Sequence, residues 1–154
     1  MIHYECPLIA VRDMKRSVAF YREVLGLEIV NDFGANVTLT GGISLQTLDT
    51  WKDFLGAAEE DIKLKNRAGE LYFVAEDMDA FWQRLQTADV ELVHPLKEHG
   101  WGQRVARIYD PDGHVIEVGE SLRAVAQRFR EAGMDVQQIA VRMDVSAEFA
   151  ASLL

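Results

Sequence analysis

Residues 109–119 read Tyr109-Asp110-Pro111-Asp112-Gly113-His114-Val115-Ile116-Glu117-Val118-Gly119. Pro111 fixes φ, and Asp112 and Gly113 add side-chain bonding and a permissive backbone, so Asp-Pro-Asp-Gly predicts a tight turn between two strands. The strand after the turn alternates. Val115 and Glu117 share one face, and His114, Ile116 and Val118 share the other. Taken alone, a glutamate in a short strand is as readily a solvated edge residue as a functional one.

The same pattern occurs earlier in the chain. Gly41-Gly42-Ile43-Ser44-Leu45-Gln46 matches Asp112-Gly113-His114-Val115-Ile116-Glu117, so Gln46 stands where Glu117 stands. Val11-Arg12-Asp13-Met14 and Ala75-Glu76-Asp77-Met78 each open an amphipathic helix, and one equal step back from each aspartate reaches Cys6 and Glu70. The chain therefore reads as two copies of one β-α-β-β-β unit, in which Cys6, Gln46, Glu70 and Glu117 are equivalent positions. The second copy is longer by about seven residues, placed most simply in loop 97–102. That loop carries His99 and Trp101 and reads as a candidate lid.

The first module, about 1–50, is expected to hold a strand over 4–11 with Pro7 marking an edge or irregularity. A helix capped by Asp13 follows, with Met14, Val18, Tyr21 and Leu25 as its apolar stripe, and Gly26 ends it. Strands at 27–31, 36–39 and 43–48 complete the unit. Segment 51–68 is polar and reads as a linker with a short helix. The second module, 69–120, repeats the plan: a strand at 70–75, a helix capped by Asp77 or Asp79 with Met78, Phe81, Trp82 and Leu85 buried, and strands at 91–95, 103–109 and 114–118. Residues 121–154 form a helical extension of three helices, the last capped by Ser146. Its last helix offers no basic or amide side chain to phosphates or base edges, so packing on the main domain or on a second subunit is expected in place of DNA reading.

At 154 residues the chain is one domain of ordinary size, built from two half-size modules sharing a core. An apolar content of 49% and a charged content of 27% are those of a soluble globular protein. The single cysteine, Cys6, excludes an internal disulfide and fits a reducing cytoplasm. A formal net charge of −9 argues against nucleic acid or anionic membrane as partner. Neither a secretory signal nor a membrane span is expected.

The duplicated unit, the stretch Asp13-Met14-Lys15-Arg16-Ser17-Val18-Ala19-Phe20-Tyr21 with Val24-Leu25-Gly26, and Asp110-Pro111-Asp112-Gly113 followed by Glu117 resemble the vicinal oxygen chelate superfamily. That group includes glyoxalases, bleomycin-resistance proteins and extradiol dioxygenases. The resemblance covers 2–120 and implies an α+β fold whose two tandem modules form a cupped mixed sheet. It also implies a homodimer, a small-molecule ligand, and metal ligands at four equivalent strand positions. Carried over residue by residue, these fall on Cys6, Gln46, Glu70 and Glu117. Glu117 matches the terminal glutamate of the group, and no histidine falls in the quartet. The implied cofactor is one divalent ion (magnesium, manganese, nickel, zinc or iron), with no nucleotide cofactor.

The function expected from the resemblance is a glyoxalase-type lyase or isomerase, ahead of a dioxygenase, whose iron site usually takes two histidines. In that reading an ion chelates vicinal substrate oxygens and Glu117 or Glu70 moves the proton. The alternative is a metal-free binding or sequestering protein of the bleomycin-resistance type. Asn36, Arg107 and Tyr109 are polar residues on strands expected to line the cup, and with His99 and Trp101 they form the expected substrate contacts. Arg107 has two uses open to it: a bidentate bond to a substrate carboxylate or phosphate, or a pair with Glu117 that leaves no ion. Cys6 is either a thiolate ligand or a small buried apolar residue.

Overall fold

The computed structural model describes Met1–Leu154 as two compact units, Met1–Gly69 with Asp110–His114, and Glu70–Tyr109 with Val115–Leu154. In the first unit, β1 (Leu8–Val11), α1 (Met14–Leu25), β2 (Ile29–Asp32), β3 (Asn36–Leu39), β4 (Ile43–Thr47) and α2 (Leu48–Leu55) follow in order. The strands make a four-stranded sheet ordered β1-β4-β3-β2, with β1 parallel to β4 and the others antiparallel. Asp13 caps α1 by accepting the Arg16 N–H, and Gly26 ends it at φ 72°. Alternation then sorts the sheet faces. Val37, Leu39, Ile43 and Leu45 join Val11 and Tyr21 in the core, while Asn36, Thr38, Ser44 and Gln46 occupy the opposite face.

Strand β1 starts at Leu8, four residues later than the sequence suggests. Pro7 accepts a hydrogen bond from Ser44 N but has no N–H to return, so the ladder stops there and Ile2 and Tyr4 stay exposed. Leu48, expected in a strand, opens α2 instead.

The Asp-Pro-Asp-Gly turn is fastened within this unit. Asp110 Oδ1 accepts the N–H of Asp112 at 2.9 Å and of His114 at 2.8 Å, while its Oδ2 takes the Tyr21 hydroxyl at 3.0 Å. Asp112 accepts from Arg12 N and Ser17 Oγ, and His114 Nε2 donates to the Ala10 carbonyl at 2.7 Å. Burial raises the pKa of the Asp110 carboxyl, and burial together with Asp110 raises that of the Tyr21 hydroxyl. Gly113 sits at φ +88°, and a Cβ there would also collide with the Lys65 side chain, so the turn demands glycine twice over.

The second unit comprises β5 (Glu70–Ala75), α3 (Met78–Thr87), β6 (Leu92–Glu98), β7 (Arg104–Tyr109), β8 (Val115–Glu120), α4 (Leu122–Glu131), α5 (Val136–Met143) and α6 (Ala147–Ser152). Its sheet runs β5-β8-β7-β6, with β5 parallel to β8. Met78, Phe81 and Leu85 of α3 belong to its core, as do Ala106, Ile108, Ile116 and Val118. Strand β6 runs on to Glu98, past the expected end at 95, which shortens the candidate lid to 99–103. The extension has a core of its own made from Val125, Ala126, Phe129, Ile139, Ala140, Met143 and Ala150. No helix is long and apolar enough to cross a membrane.

Candidate functional site

In the second unit, strand register sets four side chains in one row across the sheet. Tyr72 of β5 lies opposite Glu117 of β8, Glu117 opposite Arg107 of β7, and Arg107 opposite His94 of β6. Opposed residues on paired strands project to the same face, so the row is a continuous polar strip. Glu70 is one pleat further along β5, on the same face as Tyr72.

Arg107 organises this strip. Its Nε donates to Glu70 Oε2 at 2.8 Å and its Nη2 to Glu70 Oε1 at 3.4 Å, the two-point grip that guanidinium geometry allows. Nη2 also forms an ion pair with Glu117 Oε2. Glu117 is 7% exposed, and that oxygen has the ion pair without an aligned hydrogen bond. Nη1 meets His94 Nε2 at 3.3 Å, while His94 Nδ1 lies 2.8 Å from the Pro95 carbonyl. Only an N–H can bond a carbonyl, so Nδ1 carries the proton and Nε2 presents its lone pair to Arg107. Two carboxylates against one guanidinium leave the strip one negative charge in excess.

A second group borders the strip. Gln103, itself buried, donates through Nε2 to the Tyr72 hydroxyl at 3.1 Å and to the Glu120 carbonyl at 2.8 Å, and its Oε1 accepts Trp101 Nε1 at 3.1 Å. His99 stacks on Trp101 with ring centroids 4.4 Å apart. A Cβ on Gly119 would come within 3.0 Å of Gln103 Nε2 and 3.1 Å of the Tyr72 hydroxyl, so glycine is what lets these side chains cross the strand. Burial, then the positive charges of Lys97 and Arg107, lowers the His99 pKa and keeps its ring neutral.

The other two quartet positions lie in the first unit and are hydrogen-bonded there. Gln46 Oε1 accepts Asn36 Nδ2 at 2.9 Å, and its Nε2 donates to Thr50 Oγ1. The Cys6 thiol is 3.4 Å from Ser44 Oγ. The duplication also hides a mismatch. Matching the helix-capping aspartates sets Ala10 against Val74, whereas matching the strand partners of Gln46 and Glu117 sets Ala10 against Tyr72. The two parallel strand pairs are thus two residues out of step, so the lateral neighbour of Gln46 is Ala10 and that of Glu117 is Tyr72.

These surroundings decide how well the quartet suits a divalent ion. In the second unit both carboxylates are held by a guanidinium, and in the first the Gln46 oxygen is bonded to an amide and the thiol is on a hydroxyl. The donors present do not fit a metal.

Among the expected substrate contacts, Arg107 belongs to the strip, and Trp101 and His99 to the group beside it. Tyr109 is buried on the Arg107 face of β7, one pleat away, and Asn36 belongs to the first unit's polar face. Sequence reasoning missed Tyr72, His94 and Gln103. Tyr72 was open to detection, since it alternates with Glu70. The first unit also has a cleft of about 560 Å³ between α1 and β2–β3, bordered by Met14, Val18, Arg22, Ile29 and Val37; it contains none of the quartet.

The sequence matches the glyoxalase-like domain family over residues 4–123. It is 31% identical to the uncharacterized protein YraH of Bacillus subtilis (strain 168) over 123 residues, 74% of this chain and 94% of that protein. The crystal structure of a protein of unknown function from Agrobacterium tumefaciens str. C58 is 41% identical, with a TM-score of 0.69 over 79% of this chain and 96% of that one. A lactoylglutathione lyase from Agrobacterium tumefaciens, 24% identical, has a TM-score of 0.60 over 77% of this chain and 93% of its own and shows a shared fold.

Proposed function

The chain belongs to the glyoxalase-like domain family, within the vicinal oxygen chelate superfamily, and on that premise we propose that it is a small-molecule-binding protein whose site works without a metal. The observation that carries this reading is Arg107, whose guanidinium stands between Glu70 and Glu117 where an ion would need their oxygens. With both its long edges engaged, Arg107 has little left for a substrate carboxylate. The excess negative charge and the aromatic rings of Tyr72, Trp101 and His99 favour instead a ligand with a cationic or N–H-rich group on a flat apolar body.

Benzamidine, benzyl alcohol and benzoate separate the ligand classes, because they share a ring and differ in charge. Titration calorimetry is expected to detect benzamidine binding to the wild type, to find it weakened at least tenfold in Glu117→Gln, and to detect no benzoate binding. Benzoate binding in preference to benzamidine would overturn the assignment of ligand charge.

A second reading is an enzyme of glyoxalase type in which Glu117 moves a proton between adjacent carbons unaided by an ion. The burial of Glu117 on the polar strip favours it, and its carboxylate would leave the ion pair with Arg107 to take the proton. Turnover of a 2-oxoaldehyde–thiol adduct in the presence of chelator, lost in Glu117→Gln, would put this reading first.

A further inference from the structure

Residues 99–103 carry the aromatic group beside the polar strip, yet the loop's own backbone bonds are few: His99 N to the Gln103 carbonyl and Gly102 N to the His99 carbonyl. Apart from the Gln103 side chain, which bonds the Tyr72 hydroxyl and the Glu120 carbonyl, its fastenings come from the helical extension. Arg142 of α5 donates to the Gly100 carbonyl and bonds Glu98 Oε1 at 2.6 Å. Arg128 of α4 donates to the Gly102 carbonyl at 2.6 Å, reaches Glu98 Oε2 at 3.4 Å, and is itself bonded to Glu120. Gly102 has φ +89°, and the ring of Phe129 fills the place a Cβ would take. Both guanidinium groups lie over that ring, at 5.0 Å and 5.2 Å from its centroid. The loop is thus gripped at Glu98, Gly100 and Gly102 by residues that lie beyond the matched family segment.

We propose that the helical extension is the clamp of the ligand site. Arg128 and Arg142 are positioning residues that hold the 99–103 loop, and Trp101 and Gln103, held in this way beside Tyr72, determine which ligands fit against Glu117. The physical basis is entropic: a short loop with few internal bonds samples many conformations, and external bonds to its carbonyls remove them before a ligand arrives. The part of this proposal that concerns ligand choice rests on the binding reading above; the clamping of the loop does not.

Hydrogen exchange of the full-length chain tests the clamp without a ligand. In Arg142→Met, the amides of 99–103 and the Trp101 indole N–H are expected to exchange at least tenfold faster than in the wild type, while amides of β5, β7 and β8 keep their rates. Arg142→Lys, which retains the charge facing Glu98 but reaches fewer acceptors, is expected to restore part of the protection, and Arg123→Met to change nothing. Benzamidine affinity should fall about tenfold in Arg142→Met, although Arg142 lies outside the polar strip. Unchanged exchange at 99–103 would overturn the clamp. If Arg142→Met does not fold, Arg142→Lys is read in its place, with reduced protection at 99–103 as support and wild-type protection as refutation. Faster loop exchange with no benzamidine binding to the wild type would overturn the ligand reading alone.

Discussion

Replacing Glu120 with glutamine is expected to destabilise the protein by about 2–3 kcal/mol at pH 7, toward the low end for breaking a buried ion pair because both arginines are partly exposed. Glu120 is 1% exposed at the end of β8. Its carboxylate accepts Arg104 Nη2 at 2.9 Å and Nε at 3.2 Å, and Arg128 Nη2 at 2.9 Å and Nε at 3.2 Å. Arg104 carries on to Asp79 at the start of α3. One carboxylate therefore links the sheet, α3 and α4, and a glutamine of the same shape would turn an N–H₂ group toward guanidinium donors. Burial opposes the charge on Glu120, but the bonds from Arg128 and Arg104 outweigh it and lower its pKa below the ordinary value. The contribution is thus fully present above the unfolded-state pKa of about 4.3 and is lost as pH falls through the lower folded-state value. Urea unfolding of wild type and variant should differ most at neutral pH and converge in acid. Equal stabilities at pH 7 would show that the pair contributes nothing.

Arg107→Met is expected to cost about 2 kcal/mol at pH 7, for a different reason. Methionine fills much of the arginine's volume but leaves Glu117 buried without its cation and Glu70 facing it with a like charge. Protonation would relieve a buried, unpaired carboxylate, so the deficit should shrink as the solution is acidified, whereas the Glu120 contribution, whose carboxyl pKa is lowered, survives further into acid. The double variant Arg107→Met with Glu117→Gln should recover much of the loss, because it removes the stranded charge. A full, pH-independent loss that Glu117→Gln does not relieve would indicate that packing of the arginine stem, and not its charge, is what matters.

Much of the fold was legible because its signals are local. The turn at Asp110–Gly113, the capping aspartates Asp13 and Asp77 and the αL glycine Gly26 each leave a mark within a few residues, and the structure has them as expected. The strip was half legible. The resemblance put Glu117 and Glu70 among the expected ligands and Arg107 on a strand lining the cup, and the Arg107–Glu117 pair was one of two uses open from sequence. His94 was not legible, because β6 pairs with β7 through two register shifts, and no sequence pattern gives the rung on which a bulged strand lands. Counting back from the capping aspartates matches Cys6 with Glu70, but Cys6 lies outside β1 and the parallel strands pair two residues out of step, a property of the sheet and not of either strand. The grip of Arg128 and Arg142 on loop 99–103 joins residues far apart in sequence, and such contacts leave no periodic trace.

The central claim is that Arg107 stands where a metal ion would. Its most direct measurement is calorimetric titration of the chelator-stripped wild type with manganese, nickel and zinc, beside the Glu70→Gln, Glu117→Gln double variant. No stoichiometric binding by the wild type and no difference between the two proteins are expected. One equivalent of ion bound by the wild type and lost in the double variant would contradict it.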